Sequence, residues 1–155
     1  MAQLQVTKTI AAPINDVWAT WDAFGGVDQV NPNIRASYLV GGTKASDRGA
    51  EPRCEMPDGD AFTRERIVGY ELPAWMVAEA IDDDLPIEHV RVVLDFAAVC
   101  PQETEVTATM TFAPKGVYGQ LMAPFMKDKM VKTLERMLSG NEASANSGNG
   151  DLVAA

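Results

Sequence analysis

The chain has 155 residues, 46% of them apolar and 23% charged, and a formal charge of −9. This acidity excludes a nucleic-acid surface, which needs clustered cations against phosphate, and it disfavours an anionic membrane face. The length suits one domain around one core. Cys54 and Cys100, the two cysteines, are too few for a disulfide scaffold, and no stretch nears the roughly 18 apolar residues of a membrane span.

In chain order, Gln3 to Ala11 alternates and is rich in β-formers, so it reads as a strand. Pro13 fits the first position of a helix whose apolar face is Ile14, Val17, Trp18 and Trp21. Gly25-Gly26 stops that helix, and a second short helical turn reaches Asn31 before Pro32. Residues 34–40 form a second strand. Residues 41–49 form a loop that lacks the spacing of a phosphate-binding loop. A third strand over 50–56 leads into the turn Pro57-Asp58-Gly59-Asp60, strong hairpin chemistry. Residues 61–70 and 75–81 are the fourth and fifth strands, and Asp82-Asp83-Asp84 reads as a solvated acidic turn. The clearest alternation follows: Val90, Val92, Leu94, Phe96 and Ala98, then Val106, Ala108, Met110 and Phe112. Both runs have the period of half-buried antiparallel strands.

The last regular stretch, 116–139, is the one long helix. Tyr118, Leu121, Met122 and Phe125 make one apolar stripe, and Met126, Met130, Leu134, Met137 and Leu138 make a second, rotated around the axis. Pro124 lies where they meet, predicting either a kink or a helix that begins there. Residues 140–155 are small, polar and glycine-rich, which predicts a flexible tail.

Several segments carry a family resemblance. They are Ile10-Ala11-Ala12-Pro13-Ile14-Asn15-Asp16-Val17-Trp18, Trp21-Asp22-Ala23-Phe24-Gly25-Gly26 and Asn31-Pro32, then Thr63-Arg64-Glu65-Arg66-Ile67 and Leu85-Pro86-Ile87. The long helix after Phe112-Ala113-Pro114-Lys115-Gly116 completes the set. Together they resemble the START and birch-pollen-allergen-like superfamily, known as SRPBCC or polyketide cyclase/dehydrase and lipid transport proteins. One departure is Val30, where many bacterial members carry tryptophan before the Asn/His-Pro pair. The resemblance implies an α+β helix-grip fold. In it, a curved antiparallel sheet of about seven strands wraps a long C-terminal helix, with two short helices after strand 1. A single ligand-binding domain over 1–139 is implied, with an internal cavity between sheet and helix.

Reactive motifs are absent from the residues. His89 is the sole histidine and falls on the polar side of its strand, and neither a zinc-ligand spacing nor a nucleophile elbow occurs. No metal and no cofactor are expected. The expected ligand is a small hydrophobic or aromatic molecule, and the N-terminus lacks a signal peptide, so a cytoplasmic location is expected. Pairing Tyr70 with Trp75 across their short connection sets Arg66 opposite Glu79 and turns both inward as a polar anchor, although a bulge would reverse the faces. The remaining expected lining is Tyr70, Trp75, Val77, Val92, Leu94, Phe96, Met110, Phe112, Met122, Phe125 and Met126. Three functions fit: a binder or carrier of an apolar molecule, a polyketide cyclase/dehydratase-like enzyme in which Glu79 moves a proton and Arg66 steadies an enolate, or a chaperone-regulator-like partner protein. The last would expose a large apolar patch.

Overall fold

A computed structural model describes residues 1–21, 27–40, 50–57 and 61–146. The elements are β1 (Ala2–Ile10), α1 (Ile14–Ala19), α2 (Val27–Val30), β2 (Ala36–Leu39), β3 (Pro52–Glu55), β4 (Phe62–Glu71), β5 (Trp75–Asp83), β6 (Ile87–Cys100), β7 (Glu103–Pro114) and α3 (Gly116–Asn146). The seven strands form one antiparallel sheet in the order β1-β7-β6-β5-β4-β3-β2. Hairpins connect neighbours from β2 to β7, while β1 crosses to the far edge and pairs with β7. The expected helix-grip fold is thus present. The loop over 41–49 and most of the turn at 57–60 lie outside the described residues.

The period-two pattern decides which side of the sheet meets the helices. Val106, Ala108, Met110 and Phe112 of β7 are buried, as are Leu94 and Phe96 of β6, and Val92 packs against the same cluster. Their alternates face out: Thr7 and Thr107 share a hydroxyl contact, and Gln5 donates to Thr109, on the exposed side of the β1–β7 pair. α1 begins one residue later than expected, because Pro13 keeps an extended ψ of 148° and acts as the N-cap. Val17, Trp18 and Trp21 then drop into the core. Trp18 sets its ring edge against Phe96, with centroids 5.2 Å apart, and lies tilted at 6.1 Å from Tyr70.

α3 is continuous through Pro124 and runs to Asn146, seven residues past the expected end at Ser139. Gly140 does not stop it. A Cβ there would lie 2.1 Å from the Val30 carbonyl oxygen, so the absent side chain lets α3 press against the end of α2. Beyond it, the buried Asn141 donates to the Thr20 hydroxyl and toward the Val17 carbonyl, and Ser144 is buried as well. Asn141 thus anchors α3 to the end of α1, where a tail was expected. Residues 147–155 lie outside the described residues. Gly119 makes a second close approach: a Cβ there would meet the Pro86 carbonyl oxygen at 2.5 Å. α3 rests mainly on β1, β7, α1 and α2. Among the described residues, no helix is long and apolar enough to cross a membrane.

Candidate functional site

Two irregularities in the β4–β5 pair set the site. The register steps from Ile67↔Ala78 to Gly69↔Val77, which leaves Val68 as an extra residue on β4. It also steps from Glu65↔Ala80 to Arg64↔Asp82, which leaves Ile81 extra on β5. Each bulge shifts the alternation by one. Tyr70 therefore pairs with Met76, Glu71 with Trp75, and the inward residues of β5 are Met76, Ala78 and Ala80.

This overturns part of the expected lining. Arg66 and Glu79 are opposite in register, but both sit on the outer face and not with each other. Arg66 donates to Glu51 at 2.8 Å and Glu79 accepts from Arg91. Trp75 folds over Gly69 on the outer face, and its indole N–H donates to Glu71 at 3.3 Å. Val77 shares that side, buried outside the main apolar cluster. Phe125 points away from the sheet, 68% exposed. The residues that do share the inner side are Tyr70, Val92, Leu94, Phe96, Met110, Phe112, Met122 and Met126.

The same shift turns a different carboxylate inward. Along β4 the inward positions are Thr63, Glu65 and Ile67, and across the strands Thr63 pairs with Cys54, which pairs with Ser37. Thr63 and Cys54 are buried. α2 closes over this corner: Asp28 accepts from the Ser37 hydroxyl at 2.8 Å, and its backbone N–H donates back to the same oxygen at 3.0 Å. The result is a polar corner of Asp28, Ser37, Cys54, Thr63 and Glu65 beside an apolar inner face.

Electrostatics follow from burial. Glu65 is half-buried as a residue, yet its carboxyl lies deep enough that loss of water pushes it from the usual 4.5 to about 7. Among the described residues no side chain or backbone N–H donates to it. An inward acid without a donor holds its proton more tightly than one in water. Burial likewise pushes the Cys54 thiol up, and the nearby charges of Glu65 and Asp28 add to the effect. Cys54 is therefore a neutral, weakly nucleophilic thiol at neutral pH. Cys54 and Cys100 are both free, the first buried and the second exposed. Among the described residues, the buried indole N–H groups of Trp18 and Trp21 also have no partner.

Glu65 was missed from sequence because the even-numbered residues of 62–70 look more apolar than the odd ones. The signal that finds it is Thr63-x-Glu65-x-Ile67, a period-two run whose two flanking members are buried. A separate groove of about 420 Å³ lies outside, between Pro32 and the Lys132–Gly140 stretch of α3. It has no buried polar group of its own.

Comparisons place this arrangement among known folds. A START superfamily protein from Mycobacterium smegmatis superposes with a TM-score of 0.77 at 14% identity, covering 94% of this chain and 97% of that one. A protein from Thermus thermophilus gives 0.75 at 13% identity, covering 94% and 98%. Norcoclaurine synthase from Thalictrum flavum, in a structure with dopamine and hydroxybenzaldehyde, gives 0.71 at 10% identity, covering 95% and 87%. These identities establish a shared fold. A search of curated proteins found no match. The family model for polyketide cyclase / dehydrase and lipid transport matches residues 1–140, so the chain belongs to that family.

Proposed function

We propose that this chain binds a small, largely apolar molecule between the inner face of the sheet and α3, and that Glu65 accepts a hydrogen bond from a hydroxyl or amine of that molecule. The observation that carries this reading is the inward Glu65 carboxyl, raised to about 7 and without a donor among the described residues, beside an apolar wall of Ile67, Ala78 and Val92. A hydrogen bond to a carboxylate is stronger than one between neutral groups, so a ligand donor beside this half-buried carboxyl would add to the apolar contact. The family description, which includes lipid transport, supports an apolar ligand. The norcoclaurine synthase structure, with its two small aromatic molecules, is compatible with a ligand of that size in this fold.

A second reading rests on the same group. A carboxyl that titrates near neutrality can take a proton and return it. A cyclase or dehydratase-like reaction on an enolisable chain would use Glu65 in that way, and the displacement of Glu79 to the outer face moves the role to Glu65.

The test begins with native mass spectrometry of the purified chain, followed by titration with matched apolar alcohols, amines and carboxylic acids. Alcohols or amines should bind at least about tenfold more tightly than the acids, the difference expected from one charge-assisted hydrogen bond. Glu65→Gln should level that preference while leaving the fold intact. A preference for acids, or a preference that survives in Glu65→Gln, contradicts the assignment. Loss of turnover with retained binding would select the enzyme reading.

A further inference from the structure

The outer face of α3 carries a feature that ligand binding does not use. Val117, Tyr118, Leu121 and Phe125 are 79%, 64%, 70% and 68% exposed. Their spacing of one, three and four residues puts them on one side of the helix, opposite the side that buries Met126, Leu134 and Met137. The exposed face continues as Lys129, Lys132 and Arg136, all in water. From Val117 to Arg136 it runs about 30 Å at 1.5 Å per residue.

The two ends of this stripe differ in charge. Residues 115–136 hold five cations (Lys115, Lys127, Lys129, Lys132 and Arg136) against two acids (Asp128 and Glu135), so this stretch is positive within a chain of −9. At the N-terminal end, the bend between β5 and β6 abuts the first turn of α3: the Lys115 amide donates to the Pro86 carbonyl at 3.0 Å, and Lys115 Nζ lies 3.9 Å from Asp83. That bend carries the exposed Asp84, and Glu88 follows it, also exposed. The stripe is therefore apolar from Val117 to Phe125 and basic beyond it, and its N-terminal end abuts a bend that carries the exposed Asp84.

Such a surface complements itself under a two-fold axis. We propose that the occupant of this face is a second copy of the chain, docked α3 against α3 in antiparallel orientation. With the axis near Leu121, Phe125 of one copy lies against Val117 of the other, and Lys129 and Lys132 extend over the Asp84–Glu88 end. The apolar centre supplies the attraction and the charged ends set the orientation. An anionic lipid surface fits less well, because Asp84 and Glu88 would repel it.

Sedimentation equilibrium tests this, with Val99→Glu as a control because Val99 is 57% exposed at the far end of β6. The wild type and Val99→Glu should dimerise. Leu121→Glu with Phe125→Glu, both on the surface, should weaken the dimer at least about 100-fold. Lys132→Glu should weaken it less, and adding Asp84→Lys should recover part of the loss. A wild type that is monomeric at about 100 µM overturns the proposal, whether or not it binds phosphatidylserine vesicles. A dimer indifferent to Leu121→Glu with Phe125→Glu overturns it equally.

Discussion

Strands β1, β7 and β6 meet α1 and the C-terminal part of α3 through side chains such as Leu4, Val106, Leu94 and Phe112. Strands β2, β3 and β4 instead turn Ser37, Cys54, Thr63 and Glu65 to the same side of the same sheet, under the single turn of α2. The first wing is apolar and carries the main weight of α3. The second has no such cover from α3 and places an acid where apolar side chains would pack better. A fold optimised only for stability would fill both wings alike. Under the proposed function, one wing supplies cohesion and the other recognition.

The sharpest way to break this division is to cut into the apolar wing. Phe112, 2% exposed, should lose about 3–5 kcal/mol of stability when changed to alanine. Chemical denaturation measures it, and the ligand preference assigned to Glu65 should survive in the folded fraction. A loss below about 1 kcal/mol would show that this wing is not a close-packed core. Gly140→Ala comes next. Its Cβ would lie 2.1 Å from the Val30 oxygen, so α3 and α2 must separate, at a cost of about 1–3 kcal/mol. Thermal unfolding should show the drop, and an unchanged midpoint would mean that the two helices do not touch so closely.

Glu65 makes a smaller contribution, and it depends on pH. Its carboxyl is raised in the folded chain, from 4.5 to about 7, so the unfolded chain ionises more readily. Below about pH 4.5 the group is protonated in both states and has no effect. As pH rises through the window to about 7 it increasingly opposes folding, and the full penalty is present above. Because the residue is only half-buried, a loss of about 1–2 kcal/mol is expected rather than the value for complete desolvation. Denaturation of wild type and Glu65→Gln between pH 4 and 8 should diverge by that amount, the variant being the more stable at the upper end. Parallel curves would place the carboxyl in water.

The smallest effect concerns the thiols. Without denaturant, a disulfide reagent should modify the exposed Cys100 quickly and the buried Cys54 slowly. Glu65→Gln should speed Cys54 modestly, since one of the charges that holds its thiol up is then gone. Equal rates for the two cysteines in the native protein would contradict the burial of the polar corner.

The two wings also differ in how well their sequence announced them. The two register shifts of β6 fall near its ends, between Glu88 and Arg91 and between Ala98 and Cys100, so the alternation from Val92 to Phe96 and from Val106 to Phe112 is unbroken and the inner side there was legible. In β4 and β5 the extra residues Val68 and Ile81 break the alternation. A reading that carries one period across both strands assigns Arg66, Glu79, Trp75 and Val77 to the wrong side. Glu65 was hidden by the same break, and by the ordinary expectation that charges face water. For α3, periodicity showed two apolar faces but not which one meets the sheet. Its true end was obscured because Asn141 and Ser144 are polar yet buried, held by contacts that a composition reading takes for a loose tail.

The central claim is that Glu65 presents a desolvated acceptor on the inner face. A carbon-13 NMR titration of its carboxyl carbon tests this most directly. Its midpoint should lie near the value of about 7 set by burial and move down when an apolar amine binds and donates to it. A midpoint at the usual 4.5, unmoved by any ligand, would contradict it.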